Sequence, residues 1–203
     1  MPKKPKNPPE GTSGDDSGES ALNGTNKGDL ILGLGGSDEI NGKNGDDTLY
    51  GDGDDDGLPL GHVPGADFLN GGNGNDQLHG GEEDDTLKGG NGKDWLYGDE
   101  GNDTLKGGNG KDHLDGGAGN DDLYGGKGKD TFEFGLLFGS DTIFDFKDGK
   151  EKMDVSAAGL TLANLTFGVG VDPDDAQITT TQGVIIVKDA AGLIDESDFI
   201  FAA

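Results

Sequence analysis

Cysteine and arginine are both absent from the 203 residues. Without thiols the chain has neither disulfides nor thiolate zinc sites to hold a fold, and its cysteine content says nothing about compartment. Hydrophobic residues make up 30% of it and aromatic residues 6%, thin for an ordinary packed core. Positive charge is scarce too: 15 lysines stand against 41 acids, a formal net charge of −26. Nucleic acid and anionic membrane surfaces are therefore poor partners, and cations are natural ones. No apolar run is long enough to span a bilayer, and none follows the early lysines Lys3, Lys4 and Lys6. Residues 1–23 read as a disordered Pro/Gly/Ser tail and not as a Sec-type signal peptide or an anchor. No G-x-S-x-G, P-loop, H-E-x-x-H or nucleophile–base pairing occurs, so no catalytic residues are expected.

What the chain has instead is glycine, 42 of them, in a fixed rhythm. From Gly24 to Glu133 it divides into eleven units of the form G-G-x-G-x-D-x-U-x, where U is a large apolar residue. They start at Gly24, Gly33, Gly42, Gly51, Gly71, Gly80, Gly89, Gly98, Gly107, Gly116 and Gly125. Ten have nine residues, and the Gly51 unit carries eleven more before it resumes at Asp67. Position 6 is aspartate throughout: Asp29, Asp38, Asp47, Asp67, Asp76, Asp85, Asp94, Asp103, Asp112, Asp121 and Asp130. Position 8 is Ile31, Ile40, Leu49, Leu69, Leu78, Leu87, Leu96, Leu105, Leu114, Leu123 and Phe132. One inward apolar residue between two variable ones is a short strand. Glycines at positions 1, 2 and 4 form a tight turn with exposed carbonyls. A flexible Gly/Asp linker would not keep two positions fixed through eleven units, and collagen would need glycine every third residue.

The sequence repeats best at eighteen residues, as in Gly89–Asp94 and Gly107–Asp112. Two units per coil explain this, with a turn and strand down one side and a turn and strand back up the other. The expected fold is an all-β, right-handed parallel β-roll, a β-solenoid of 18 residues per coil. Asp29, Asp47, Asp76, Asp94, Asp112 and Asp130 then line one edge, and Asp38, Asp67, Asp85, Asp103 and Asp121 the other. Successive coils lie about 4.8 Å apart, and a calcium ion with oxygens at about 2.3–2.6 Å on opposite sides spans about that gap, whereas magnesium is too small. The expected ligands are the position-6 carboxylates together with turn groups of Gly71, Asn73, Gly89, Asn91, Gly98, Gly107, Asn109, Gly116 and Gly125. Filling every gap takes about nine ions. Residues 24–133 hold 25 acids and 8 lysines, so the metal nearly cancels the local charge. One inward side chain per unit is too little to order so much glycine, and calcium binding is expected to be coupled to folding.

The nonapeptide resembles the hemolysin-type calcium-binding repeat of the RTX (repeats-in-toxin) proteins of Gram-negative bacteria. The match departs from the pattern at Thr25, Leu34, Lys43, Asp52 and Asp99 in position 2 and at Lys27, Asp54 and Glu83 in position 4. The resemblance implies a secreted, extracellular protein, exported unfolded by type I secretion machinery that reads an uncleaved C-terminal signal. The stretch "GSDTIFDFKDGKEKMDVSAAG" (139–159) is similar to the segment that follows the last repeats in serralysin-type proteases. Residues 134–203 are read as a small C-terminal β cap, and "DESDFIFAA" resembles the acidic-then-hydrophobic ending of type I signals.

The Gly51 insertion contains Asp52, Asp54 and Asp56 in the D-x-D-x-D-G pattern of an EF-hand loop, but Val63 stands where the closing glutamate belongs. An additional calcium loop and a plain acidic loop both fit. His62, His79 and His113 show no zinc spacing and are expected on the surface. Trp95 and Phe68 at position 7 read as isolated exposed aromatics, with a small sticky face as the other reading. The chain is expected to be a monomeric, non-enzymatic calcium module. The alternative is an adhesin, a matrix component or a carbohydrate-binding appendage of a larger secreted protein, with a surface polysaccharide or protein as partner. The start at Met1, close before the first unit, speaks against a lost catalytic domain. The outward threonines do not form the continuous ladder an ice-binding roll would need.

Overall fold

The computed structural model describes residues 21–52, 64–190 and 192–202. The tail before residue 21, and Asp54, Asp56 and His62 of the insertion, lie outside the described residues. Strands β1 (Leu22–Asn23), β2 (Leu30–Leu32), β3 (Glu39–Asn44), β4 (Thr48–Tyr50), β5 (Phe68–Asn73) and β6 (Gln77–Glu82) alternate between two sheets. So do β7 (Thr86–Gly92), β8 (Trp95–Glu100), β9 (Thr104–Gly110), β10 (His113–Asp115), β11 (Asp122–Gly128) and β12 (Thr131–Glu133). Odd strands stack in parallel on one side and even strands on the other, giving a parallel β-solenoid of about 18 residues per coil.

Register is fixed by position 8. Leu69 pairs with Leu87, Leu87 with Leu105 and Leu105 with Leu123 in one sheet; Leu78, Leu96 and Leu114 stack in the other. All eleven position-8 side chains are fully buried, so the interior is a single file of apolar residues from each sheet. Several strands run longer than the expected three residues. In β7 and β9 the ladder continues through Gly90↔Gly108, Asn91↔Asn109 and Gly92↔Gly110, because the turn backbones stack in the same register as the strands.

Outward positions form rows of their own. Tyr50 stacks on His79 and His79 on Tyr97, each with ring centroids 4.7 Å apart. Lys93 Nζ lies 4.1 Å over the Trp95 ring and Lys88 Nζ 4.7 Å over that of Phe68. These two aromatics are therefore not isolated, since each is covered by a neighbouring lysine stem and charge. At position 3 the carboxamides of Asn44, Asn73, Asn91 and Asn109 each donate to the asparagine of the preceding coil.

The parallel stacking continues past residue 133. Strand β13 (Gly139–Ile143) pairs with β11 and β14 (Lys152–Asp154) with β12. Then β15 (Thr166–Val169), β16 (Ala176–Thr179) and β17 (Gly183–Val187) form an antiparallel meander whose last strand lies parallel to β13. Finally β18 (Phe199–Ile200) adds to β14. Phe134, Phe138, Ile143, Met153, Ile178, Ile185 and Val187 carry the apolar file on to this end. No helix among the described residues is long and apolar enough to cross a membrane.

Candidate metal centre

The turns place the position-6 aspartates in two columns, one on each edge of the solenoid. Every link in both columns has the same form: a main-chain N–H donates to Oδ1 of the aspartate one coil further on. In the first column Asp29, Asp47, Asp76, Asp94 and Asp112 donate to Asp47, Asp76, Asp94, Asp112 and Asp130 at 2.8–3.0 Å. In the second, Asp38, Asp67, Asp85 and Asp103 donate to Asp67, Asp85, Asp103 and Asp121 at 2.7–2.8 Å, and Asp121 donates to Asp141 at 3.1 Å. The carboxylates thus do not simply face one another across a gap. Each spends one oxygen on the backbone of its neighbour.

The second oxygen is the chemically informative one. Oδ2 of Asp47, Asp67, Asp76, Asp85, Asp94, Asp103, Asp112, Asp121 and Asp130 is buried with no hydrogen-bond partner among the described residues. Leaving a buried polar atom unsatisfied costs about 1–3 kcal/mol, and more when it is charged. A cation is a natural partner for such an oxygen.

Position 1 shows how the space is made. A Cβ added to Gly42, Gly71, Gly89 or Gly98 would sit 2.4–2.5 Å from Oδ2 of the aspartate in the same unit. The missing side chain is the cradle of the carboxylate. The carbonyl of the next position-1 glycine approaches the same point, as with Gly107 below Gly89 and Gly116 below Gly98. Gly71 and Gly125 stand likewise below Gly42 and Gly107. At most positions 2 and 4 φ is positive and the carbonyl turns along the column: Gly72 O points at Gly90, and Gly74 O at Gly92.

Asn73, Asn91 and Asn109 also take part in contacts between coils. The carbonyls of Asn73 and Asn91 accept ladder bonds from Gly45 and Gly74, at 2.7 and 2.9 Å, and all three carboxamides belong to the outer row. Carbonyls of positions 2 and 4, such as those of Gly72 and Gly74, are further main-chain oxygens turned along the column. Asp29 differs from its column, because Thr25 donates to its Oδ2 through both N–H and hydroxyl, at 2.6 and 2.8 Å. Asp52 is buried and accepts from the Glu82 N–H at 3.0 Å, so it is built into the turn stack. His79 lies in the aromatic row, and His113 Nε2 is 2.6 Å from Glu133.

Two column members were not read from the sequence. Asp141 follows Asp121 by twenty residues, and Glu151 lies beside Asp130 by the register Thr131↔Lys152. Among the described residues no three carboxylate or imidazole groups converge, so most oxygens of any bound ion come from the main chain. Hard carboxylate and carbonyl oxygens in flexible number suit calcium; magnesium demands a stricter octahedron, and soft metals prefer other donors.

Electrostatics without metal are unfavourable. Burial, opposed by the backbone hydrogen bond and reinforced by neighbouring carboxylates, pushes Asp76 and Asp112 to about 6, Asp94 to about 7, Asp67 and Asp103 to about 8 and Asp85 to about 9. Such groups hold protons in the folded chain that the unfolded chain, titrating near 3.8, releases. The proton-linked stability is fully present below that value and is lost as pH rises through 6 to 9. In excess chelator the chain is therefore expected to gain β structure when acidified from pH 8 to pH 5. Circular dichroism checks this, and a spectrum independent of pH over that range contradicts it.

Similarity to known proteins agrees with the geometry. The RTX calcium-binding nonapeptide repeat (4 copies) matches residues 23–58, 64–96 and 97–132, just over half of the chain. Two subunits of a mannuronan C5-epimerase from Azotobacter vinelandii, AlgE6R2 and AlgE6R3, are each 31% identical. The first covers 62% of this chain and 92% of its own with a TM-score of 0.46, the second 72% and 84% with 0.37. The extracellular lipase LipA of Serratia marcescens is 19% identical over 88% of this chain and 39% of its own, with a TM-score of 0.44. No curated protein matches. With two fixed repeat positions, two columns of half-satisfied buried carboxylates and a family match over most of the roll, the chain belongs to the RTX calcium-binding repeat family.

Proposed function

We propose that the chain is a calcium-folded structural module of a secreted protein, holding ions between successive coils along both edges. The buried, partnerless Oδ2 atoms carry this reading. The ligands are Oδ2 of the position-6 aspartates and turn carbonyls of positions 1, 2 and 4. The bound ion supplies the positive charge that each column of carboxylates lacks, and it ties one coil to the next. The Oδ1 links run five to a column. At the first link on one edge Thr25 already satisfies Oδ2 of Asp29, which leaves about nine gaps for calcium.

Many weak oxygen sites require a calcium-rich compartment, since extracellular modules operate at about 10⁻⁴–10⁻³ M. This supports an extracellular location and a chain that stays unfolded until it arrives there. Export by a type I machine fits the acidic-then-apolar ending, in which Asp195 caps a short turn before β18. The module itself has no catalytic role. A binding appendage of a larger enzyme or adhesin is the second reading, favoured by the ordered outward rows at positions 3 and 9.

The variant D94N tests the metal assignment. Asparagine keeps the Oδ1 acceptor for Asp76 N–H while replacing the buried charge with a neutral amide. The expected outcome is the loss of one or two ions per chain and a calcium midpoint raised about tenfold, equivalent to about 1.4 kcal/mol. Equilibrium dialysis and a calcium titration read both. Unchanged stoichiometry and midpoint would remove Asp94 from the site.

A further inference from the structure

The first column ends at a residue that no repeat pattern marks. Beyond Asp130 the next coil places Glu151, fully buried, at the position-6 level. Unlike the nine aspartates, Glu151 has both oxygens engaged. Its Oε2 accepts the Lys147 main-chain N–H at 2.9 Å, and its Oε1 accepts the Lys147 ammonium at 2.9 Å. The same ammonium donates to the carbonyl of Gly126 at 2.5 Å and to that of Asp145 at 3.2 Å. Gly126 is a position-2 residue, and its counterparts Gly72, Gly90 and Gly108 turn their carbonyls along this column. Lys147 Nζ is thus held by the donor types that the interior gaps offer to metal: a column carboxylate and a turn carbonyl. The loop that presents it is fixed by Asp145, whose carboxylate accepts Gly125 N–H and Gly126 N–H, both at 2.8 Å.

We propose that Lys147 is the resident cation of the last gap in the first column, its ammonium standing between Gly126 and Glu151 where earlier gaps take calcium. The inference rests on the calcium reading above and concerns where the metal column stops. The other end is closed in a similar way: Lys43 Nζ donates to Gly24 O at 3.0 Å, and Thr25 satisfies Asp29. Calcium then fills only the interior of this edge, and protein groups seal both ends.

Counting ions in the calcium-loaded full chain tests this, by native mass spectrometry or by dialysis with atomic absorption. Let the wild-type chain bind n ions. K147M removes the ammonium, keeps the bulk and uncovers Glu151 and Gly126 oxygens, so it is expected to bind n + 1. K147R retains the charge and is expected to bind n. The double variant K147M/E151Q removes both charges of the pair and is also expected to bind n. A K147M chain that binds n ions, or that no calcium concentration folds, overturns the proposal. Failure of the underlying reading is distinguishable, because the wild-type chain itself would then bind no calcium.

Discussion

Stripped of divalent ions by excess chelator at neutral pH, the chain is expected to lose most of its β-sheet circular dichroism and to recover it cooperatively on calcium addition. The cause lies in how little else holds the coils together. Each unit contributes one fully buried apolar side chain, such as Leu96 or Leu114, while ordering glycine costs more backbone entropy than any other residue. Against this, nine of the corner aspartates carry a buried carboxylate oxygen with no hydrogen-bond partner among the described residues. Ionised and unpaired, such an oxygen opposes folding; bound to calcium, it joins two coils. Metal affinity and folding free energy are then one quantity, and stability grows by RT ln(1 + [L]/Kd) for each site. Magnesium at the same concentration should restore far less of the signal, because its shorter bonds and strict octahedron do not match these oxygens. A chelated chain whose spectrum equals that of the calcium form would remove the energetic basis of the assignment.

The second large effect is expected from G110A. Gly110 has φ +151°, and a Cβ there would lie 1.4 Å from the carbonyl oxygen of Gly92 one coil away. Backbone on both sides is fixed by the ladder, so the clash cannot be relieved by moving a flexible side chain. The substitution should destabilise the calcium-loaded roll by about 3 kcal/mol or more and push the calcium midpoint upward. It changes no carboxylate, so a loss of calcium binding would come through the stacking of coils. The control is G135A, where nothing lies within 4 Å and φ is not in the left-handed region; an effect within about 0.5 kcal/mol is expected there. Thermal unfolding of both variants in excess calcium separates the two cases. Equal melting temperatures would show that the position-4 stack is not the tight contact described here.

Much of this architecture was legible because the period does two jobs at once. Leu96 and Leu114 must face inward, and Asp94 and Asp112 must share an edge, so an eighteen-residue spacing fixes fold and columns together. What the spacing could not show was the division of labour within a carboxylate. That Oδ1 of Asp112 accepts from Asp94 while Oδ2 stays unpartnered depends on a side-chain rotamer. Nor could the spacing show that a turn residue's carbonyl also serves the ladder, as that of Asn91 does in accepting from Gly74 N–H. Asp141 and Glu151 escaped because the spacing slips to twenty and twenty-one residues where the chain leaves the repeat. Lys147 lay further from view, since a lysine acting as the cation of a calcium column has no periodic signature.

One feature of the second edge bears on how such a roll can be altered. Between Asp38 and Asp67 the chain is twenty-nine residues long instead of eighteen, yet the bond from Asp38 N–H to Asp67 Oδ1 is 2.7 Å, the same length as that from Asp67 to Asp85. Neighbouring coils therefore register through their backbones and corner carboxylates, and eleven additional residues at that bend leave this register unchanged. A peptide grafted at the Gly51 bend is expected to leave the pairing of coils on either side intact, which the Asp38-to-Asp67 bond already survives.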